Sequence, residues 1–233
     1  MCQMISGIAV LTDGDKIKVY TSETSDSHSD IREEFGIRDD NSPIADRQTP
    51  VELIPVESLT DVNGMEFRFD AGKPNWWTDD MTDETVRQLY RALKNRWNKD
   101  RTVFEFAGHI NLNNLRTIPA GITMKSGGGG IYLDSLQSIA ENVTLQAKGS
   151  IYLDSLQSIP ENVTLQAKGS IYLNSLQSIP DGVTLVAGRA LHLKHVTSIA
   201  DGVTLVGENI ILISMKAMPE KVAVTSKCIC LDE

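Results

Sequence analysis

Residues 131–150 read IYLDSLQSIAENVTLQAKGS and residues 151–170 read IYLDSLQSIPENVTLQAKGS, so two successive blocks differ only at Ala140 and Pro160. Residues 171–190 (IYLNSLQSIPDGVTLVAGRA) keep the same register with modest drift. Working outward, an earlier copy runs from Ile110 to Gly130, one residue longer through added glycine, and later copies open at Leu191 and Ile210. Ile229-Cys230-Leu231 begins a further copy. Repetition at a fixed period of about 20 residues is the mark of a solenoid, in which a unit buries its apolar face only against its neighbours.

Each copy contains two short alternating runs. In Ile151-Tyr152-Leu153 the outer residues share one face and Tyr152 takes the other. Val163, Leu165 and Ala167 share a face, with Thr164 and Gln166 opposite. A period of two belongs to strands with one buried side. Leu156 and Ile159 supply further inward positions. Pro160-Glu161-Asn162, or Pro180-Asp181-Gly182, is turn chemistry, and the second bend falls at Lys168-Gly169-Ser170 or at the glycines 127–130. A helical reading fails, because the apolar spacing does not follow 3.6 and Pro or Gly recurs about every 10 residues. The expected fold over residues 104–233 is a parallel β-solenoid of about six turns of 19–21 residues, with two short strands per turn. Directly paired turns should sit about 4.8 Å apart.

The unit resembles degenerate leucine-rich repeats, with Leu153-x-x-Leu156-x-x-Ile159-Pro160 standing where those repeats carry their leucines. It departs from them in lacking the regular asparagine after the strand and in having the second strand Val163-Thr164-Leu165, which favours a two-strand solenoid over a horseshoe. A small α+β domain followed by such repeats also resembles, in layout, proteins of bacteria, phages and prophages. That resemblance implies binding to a host protein as an inhibitor.

Residues 1–103 show no repeat and read as a small α+β domain, a cap or a second contact for the repeats. Ile5–Leu11 and Lys16–Tyr20 are strand-like runs joined by Thr12-Asp13-Gly14-Asp15, a hairpin signal. Val51–Val56 and Met65–Phe69 read as two more strands. A short helix is expected over Ile31–Phe35, capped by Asp30 with Glu33 and ended by Gly36. A longer one is expected from about Thr82 to Trp97, with Val86, Leu89, Tyr90, Leu93 and Trp97 on one face. Arg38–Pro50 reads as a polar loop.

Stacking copies converts sequence positions into columns. Tyr132, Tyr152, Tyr172 and His192 take one outward slot in successive turns, with Asp134, Asp154, Asn174 and Lys194 beside them. Glu141, Glu161, Asp181, Asp201 and Glu220 take one corner. Both columns are candidate binding surfaces, although duplicated repeats also copy solvated turn residues. Trp76 and Trp77 fit a domain core or a binding hot spot.

Catalytic sets are thin. Met1-Cys2 before an apolar run resembles the start of amidotransferase-type enzymes, with Gln3 where those carry glycine. Ser25-Asp26-Ser27-His28-Ser29-Asp30 reads as a polar loop with a helix cap, since triad members normally come from separate parts of a fold. His28 would be the first candidate base in an enzyme. Cys228-x-Cys230 has no companion ligands in sequence, and no metal or cofactor is expected.

The 233 residues carry a net charge of −9. Residues 1–102 hold 13 Lys/Arg against 20 Asp/Glu, a net of −7. Such an excess repels nucleic acid and anionic membrane and favours a basic partner. Three cysteines and the absence of a signal or spanning segment fit a reducing, cytoplasmic setting. The expected function is a non-catalytic protein-binding module. The alternatives are an enzyme in residues 1–103 with the solenoid as a targeting arm, and a structural protein that self-assembles through the solenoid's C-terminal edge.

Overall fold

The computed structural model describes residues 4–38 and 47–231, and the chain divides into two compact units, Met1–Trp97 and Asn98–Glu233. Cys2 and Gln3, and residues 39–46 of the expected polar loop, lie outside the described residues.

The first unit is built on a four-stranded antiparallel sheet. Its strands β1 (Ser6–Thr12), β2 (Lys16–Tyr20), β3 (Gln48–Pro55) and β4 (Met65–Phe69) lie in the order β2-β1-β3-β4. The Thr12-to-Asp15 turn closes β1 onto β2 with Leu11 opposite Ile17, and β3 pairs β4 with Leu53 opposite Phe67. β3 begins at Gln48, so the last part of the expected loop is strand. Its Val51, Leu53 and Ile54 are buried, which rewards the extended run.

Helix α1 spans His28–Phe35, three residues earlier than expected. Ser27, not Asp30, caps it: the Ser27 hydroxyl accepts the Asp30 N–H at 3.4 Å. Gly36, with φ 63°, ends it in a left-handed turn, and the Ile37 N–H closes on the Arg32 carbonyl at 2.8 Å. Helix α2 spans Asp79–Asn95, starting earlier and ending before Trp97. Asp79 and Asp80 place negative charge on its N-terminal turn. Thr85, Leu89 and Leu93 form its buried stripe. α2 lies so close over β1 that a Cβ at Gly7 would meet Leu89 Cδ2 at 3.0 Å.

The second unit is a parallel β-solenoid of about six turns at about 20-residue spacing. Two ladders run its length. One stacks the four-residue strands Val103–Phe106, Thr123–Ser126, Thr144–Ala147, Thr164–Ala167 and Thr184–Ala187. The other stacks Ile110–Asn111, Ile131–Tyr132, Ile151–Tyr152, Ile171–Tyr172 and Ala190–His192. Thr204–Leu212 and Ala223–Leu231 are long enough to serve both ladders at once. A third, two-residue pairing joins Thr117–Ile118 to Ser138–Ile139, and Ser178–Ile179 to Ser198–Ile199.

Inward positions form continuous apolar columns. Leu133, Leu153, Leu173 and Leu193 are fully buried, as are Leu136, Leu156 and Leu176 below them. Two kinds of corner hold the turns in register. Gly121, Asn142, Asn162, Gly182 and Gly202 all have φ between 58° and 75°, the left-handed region that glycine and asparagine tolerate best. At the other bend the stack is so tight that a Cβ on Gly188 would overlap the Lys168 carbonyl. The extra glycine of the first full turn is absorbed there: Ser126 Oγ accepts the Gly129 N–H and lies within hydrogen-bond reach of the Gly108 and Gly129 carbonyls, at 2.8 and 2.9 Å, for its one hydroxyl proton. Among the described residues no helix is long and apolar enough to cross a membrane.

Candidate functional site

Parallel pairing puts Asn111, Tyr132, Tyr152, Tyr172 and His192 side by side. Their backbones are fixed at the strand repeat, so the rings can fill the slot only by lying parallel. Tyr132 and Tyr152 have ring centroids 4.8 Å apart at an interplanar angle of 6°. Tyr152 and Tyr172 repeat this at 4.8 Å and 4°, and Tyr172 meets His192 at 4.4 Å and 12°. The next ring towards the N-terminus, His109, is tilted by 39° at 6.0 Å from Tyr132.

This geometry decides what the column offers. Each inner ring has both faces covered by its neighbours, so the outward surface is a strip of ring edges and hydroxyls. Face-on cation capture or base stacking is therefore closed to Tyr152 and Tyr172, whereas hydrogen bonding along the edge remains open.

The neighbouring column is a ladder of Asx side chains. Asp134 N–H donates to Asn113 Oδ1 at 3.1 Å, while Asn174 gives Asp154 Oδ1 its backbone N–H at 3.1 Å and its amide at 2.8 Å. Asp154 is thus stabilised from one side and faces Asp134 on the other. Partial burial, and then the Asp154 charge, hold the Asp134 carboxyl above its ordinary range. Partial burial, with Tyr152 and Asp134 adding to it, raises the Tyr132 phenol. At the other end burial and Lys194 lower the His192 imidazole, against an opposing pull from Asp154.

The acidic corner column is exposed throughout, at Glu141, Glu161, Asp181, Asp201 and Glu220. Part of it serves the turns themselves. Asp181 Oδ1 accepts the Gly182 N–H at 2.8 Å and leans over Gly202 of the next turn. Asp201 pairs with Lys221 at 2.9 Å, which neutralises that end of the column.

In the first unit the two tryptophans separate in role. Trp77 is core: it is 5% exposed, meets Phe69 edge-on at 4.8 Å and donates its indole N–H to Thr82 Oγ1 at 2.9 Å. Trp76 is half-buried and lines a cleft of about 740 Å³ whose other apolar walls are Leu11, Ile17 and Met81. Asp15, Asp80 and Glu84 rim that cleft, with Lys16 beside them.

His28 is not in a loop; it sits in α1, buried, with Nδ1 3.3 Å from Asp70 Oδ2 and Nε2 3.4 Å from the Val51 carbonyl. These two contacts tie α1 to β3 and to Asp70 just beyond β4. Asp26 of the same segment forms a two-pronged ion pair with Arg96, at 2.9 and 3.0 Å, and both side chains are almost fully buried. Nothing in the sequence linked these two positions. No family model, curated protein or solved structure matches the chain.

Proposed function

We propose that this chain is a non-catalytic protein-binding module whose main recognition face is the column Tyr132, Tyr152, Tyr172 and His192 with the adjoining Asp134, Asp154 and Asn174. The observation that carries the reading is the parallel ring stack at 4.8 Å. Rings clamped by their neighbours have little rotamer freedom left to lose when a partner arrives, so contacts made along their edges keep more of their free energy. The hydroxyls and carboxylates favour a partner surface rich in donors, hence basic, in keeping with the net charge of −9. The Trp76 cleft, with its acidic rim, supplies a second contact for the same class of partner. A phage-type inhibitor of a host protein is the narrower form of this proposal, and it rests on layout and charge.

The test compares capture of bacterial proteins by the full chain and by two triple variants at Tyr132, Tyr152 and Tyr172. The Tyr→Phe set keeps the stack and removes the hydroxyls; the Tyr→Ala set removes both. Loss of a specific partner with Ala, and at least about tenfold weaker binding with Phe, fits an edge-on contact in which each hydroxyl supplies a typical hydrogen bond. Equal capture by wild type and the Ala set would move the function off this face.

A further inference from the structure

The last strand, Ala223–Leu231, carries two exposed thiols that no contact within the fold requires. Cys228 and Cys230 alternate to the same side of the strand, and their sulfurs are 3.8 Å apart. The backbone beneath them is held: Cys228 pairs with Asn209 and Cys230 with Ile211 in the parallel ladder. Ser226 Oγ accepts the Cys228 N–H at 3.2 Å and donates to the Cys228 carbonyl at 2.7 Å. Lys227, the residue before Cys228, is paired with Glu208 at 2.6 Å.

The separation has a chemical meaning. With metal–sulfur bonds of about 2.3 Å, two thiolates 3.8 Å apart subtend about 110° at a shared ion, which is the tetrahedral angle that structural zinc adopts. A disulfide fits the same pair poorly, because strand residues two apart have Cα atoms about 6.6 Å from one another, near the upper limit for that bond. Cys228 and Cys230 are thus spaced as two corners of a tetrahedral thiolate site would be. Among the described residues no group of three or more His, Cys, Asp or Glu converges to supply the other half. A second copy of this chain would carry an identical pair, which a two-fold axis could bring to the same ion.

We propose that Cys228 and Cys230 bind Zn²⁺ as a four-thiolate site shared between two copies of this chain. Each thiol gives up its proton on coordination, so one zinc ion releases four protons as it joins two chains. The pair lies on the strand Ala223–Leu231, where Ile229 is 39% exposed.

The experiment titrates the reduced full-length chain with Zn²⁺ and follows mass by sedimentation, with Co²⁺ as a spectroscopic stand-in for the ligand set. The expected result is one ion per two chains, a dimer that a chelator returns to monomer, and cobalt bands of a tetrahedral all-sulfur site. Cys228→Ser and Cys230→Ser should each weaken binding by more than the ~10–100-fold typical of losing an outer-shell partner. Both positions are exposed, so neither variant disturbs the core. Cys2→Ser should bind as wild type does. One zinc per chain without dimerisation overturns the shared site. Binding that survives the double Cys228/Cys230 serine variant, or is lost with Cys2→Ser, overturns the assignment of the ligands.

Discussion

At the scale of single residues the solenoid's outer surface is governed by what the next turn places 20 residues away. Asp154 and Asn174 suit each other, donor to acceptor at 2.8 Å, whereas Asp134 meets a second carboxylate. Burial and that neighbour raise the folded-state pKa of Asp134 above its unfolded value, so the folded chain binds the proton more readily than the unfolded one. The stability associated with this group is present below the ordinary carboxylate pKa and is lost as pH rises through the folded value. Asp134→Asn removes the charge and lets an amide face Asp154, as Asn174 does from the other side. Because Asp134 is largely exposed, solvent screening keeps the gain small, about 0.3 kcal/mol. Denaturant midpoints of both proteins from about pH 4 to 7 should diverge upward, with the variant the more stable at neutral pH. A variant less stable at neutral pH would mean that the carboxylate is favourably solvated where it stands.

At the scale of elements, two corners do different work, and substitutions separate them. Asn162 has φ 60°, so Asn162→Ala forces an alanine into the left-handed region at a cost of about 1 kcal/mol, confined to one turn. Gly188→Ala leaves the dihedral alone but drives a methyl into the Lys168 carbonyl of the turn below, so the spacing of two turns must open. Overpacking of that kind costs about 1–3 kcal/mol, and urea unfolding should rank Gly188→Ala as the more damaging change. A ranking the other way would show that the inter-turn spacing yields easily. The repeating strands were legible in the sequence because alternation and turn residues recur in every copy. The third pairing, at Ser138–Ile139 and Ser178–Ile179, was not, since two residues carry no periodicity. The start of α1 was misread because Ser27 and Asp30 both have capping chemistry, and only the bond from the Asp30 N–H to Ser27 Oγ decides between them.

At the scale of the molecule, the candidate face was legible because a repeat turns sequence positions into columns; what those columns present was not. That the rings stack face to face, leaving edges outward, follows from backbone spacing rather than from composition. The Asp26–Arg96 ion pair spans 70 positions with no repeat to link them, so it had no signal at all. The same columnar logic makes a whole-molecule prediction. Deleting residues 151–170 joins Ser150 to Ile171 and brings Ile131 beside Ile171, Tyr132 beside Tyr172 and Thr144 beside Thr184, so every inward column stays continuous. The shortened chain should fold and unfold cooperatively, less stable by about 1–3 kcal/mol, the typical share of 20 residues in a domain's stability. Its ring column falls from four members to three, and its affinity for any partner of that face should fall with it. Deleting only residues 151–160 joins Ser150 to Glu161, removes one ladder's strand while keeping the other's, and leaves the turn unable to close. That variant should lose the strand signal in circular dichroism for the turns beyond the break. If the half-turn deletion proved as stable as the full one, the columns would not be what holds the solenoid together, and the face read from them would lose its structural basis.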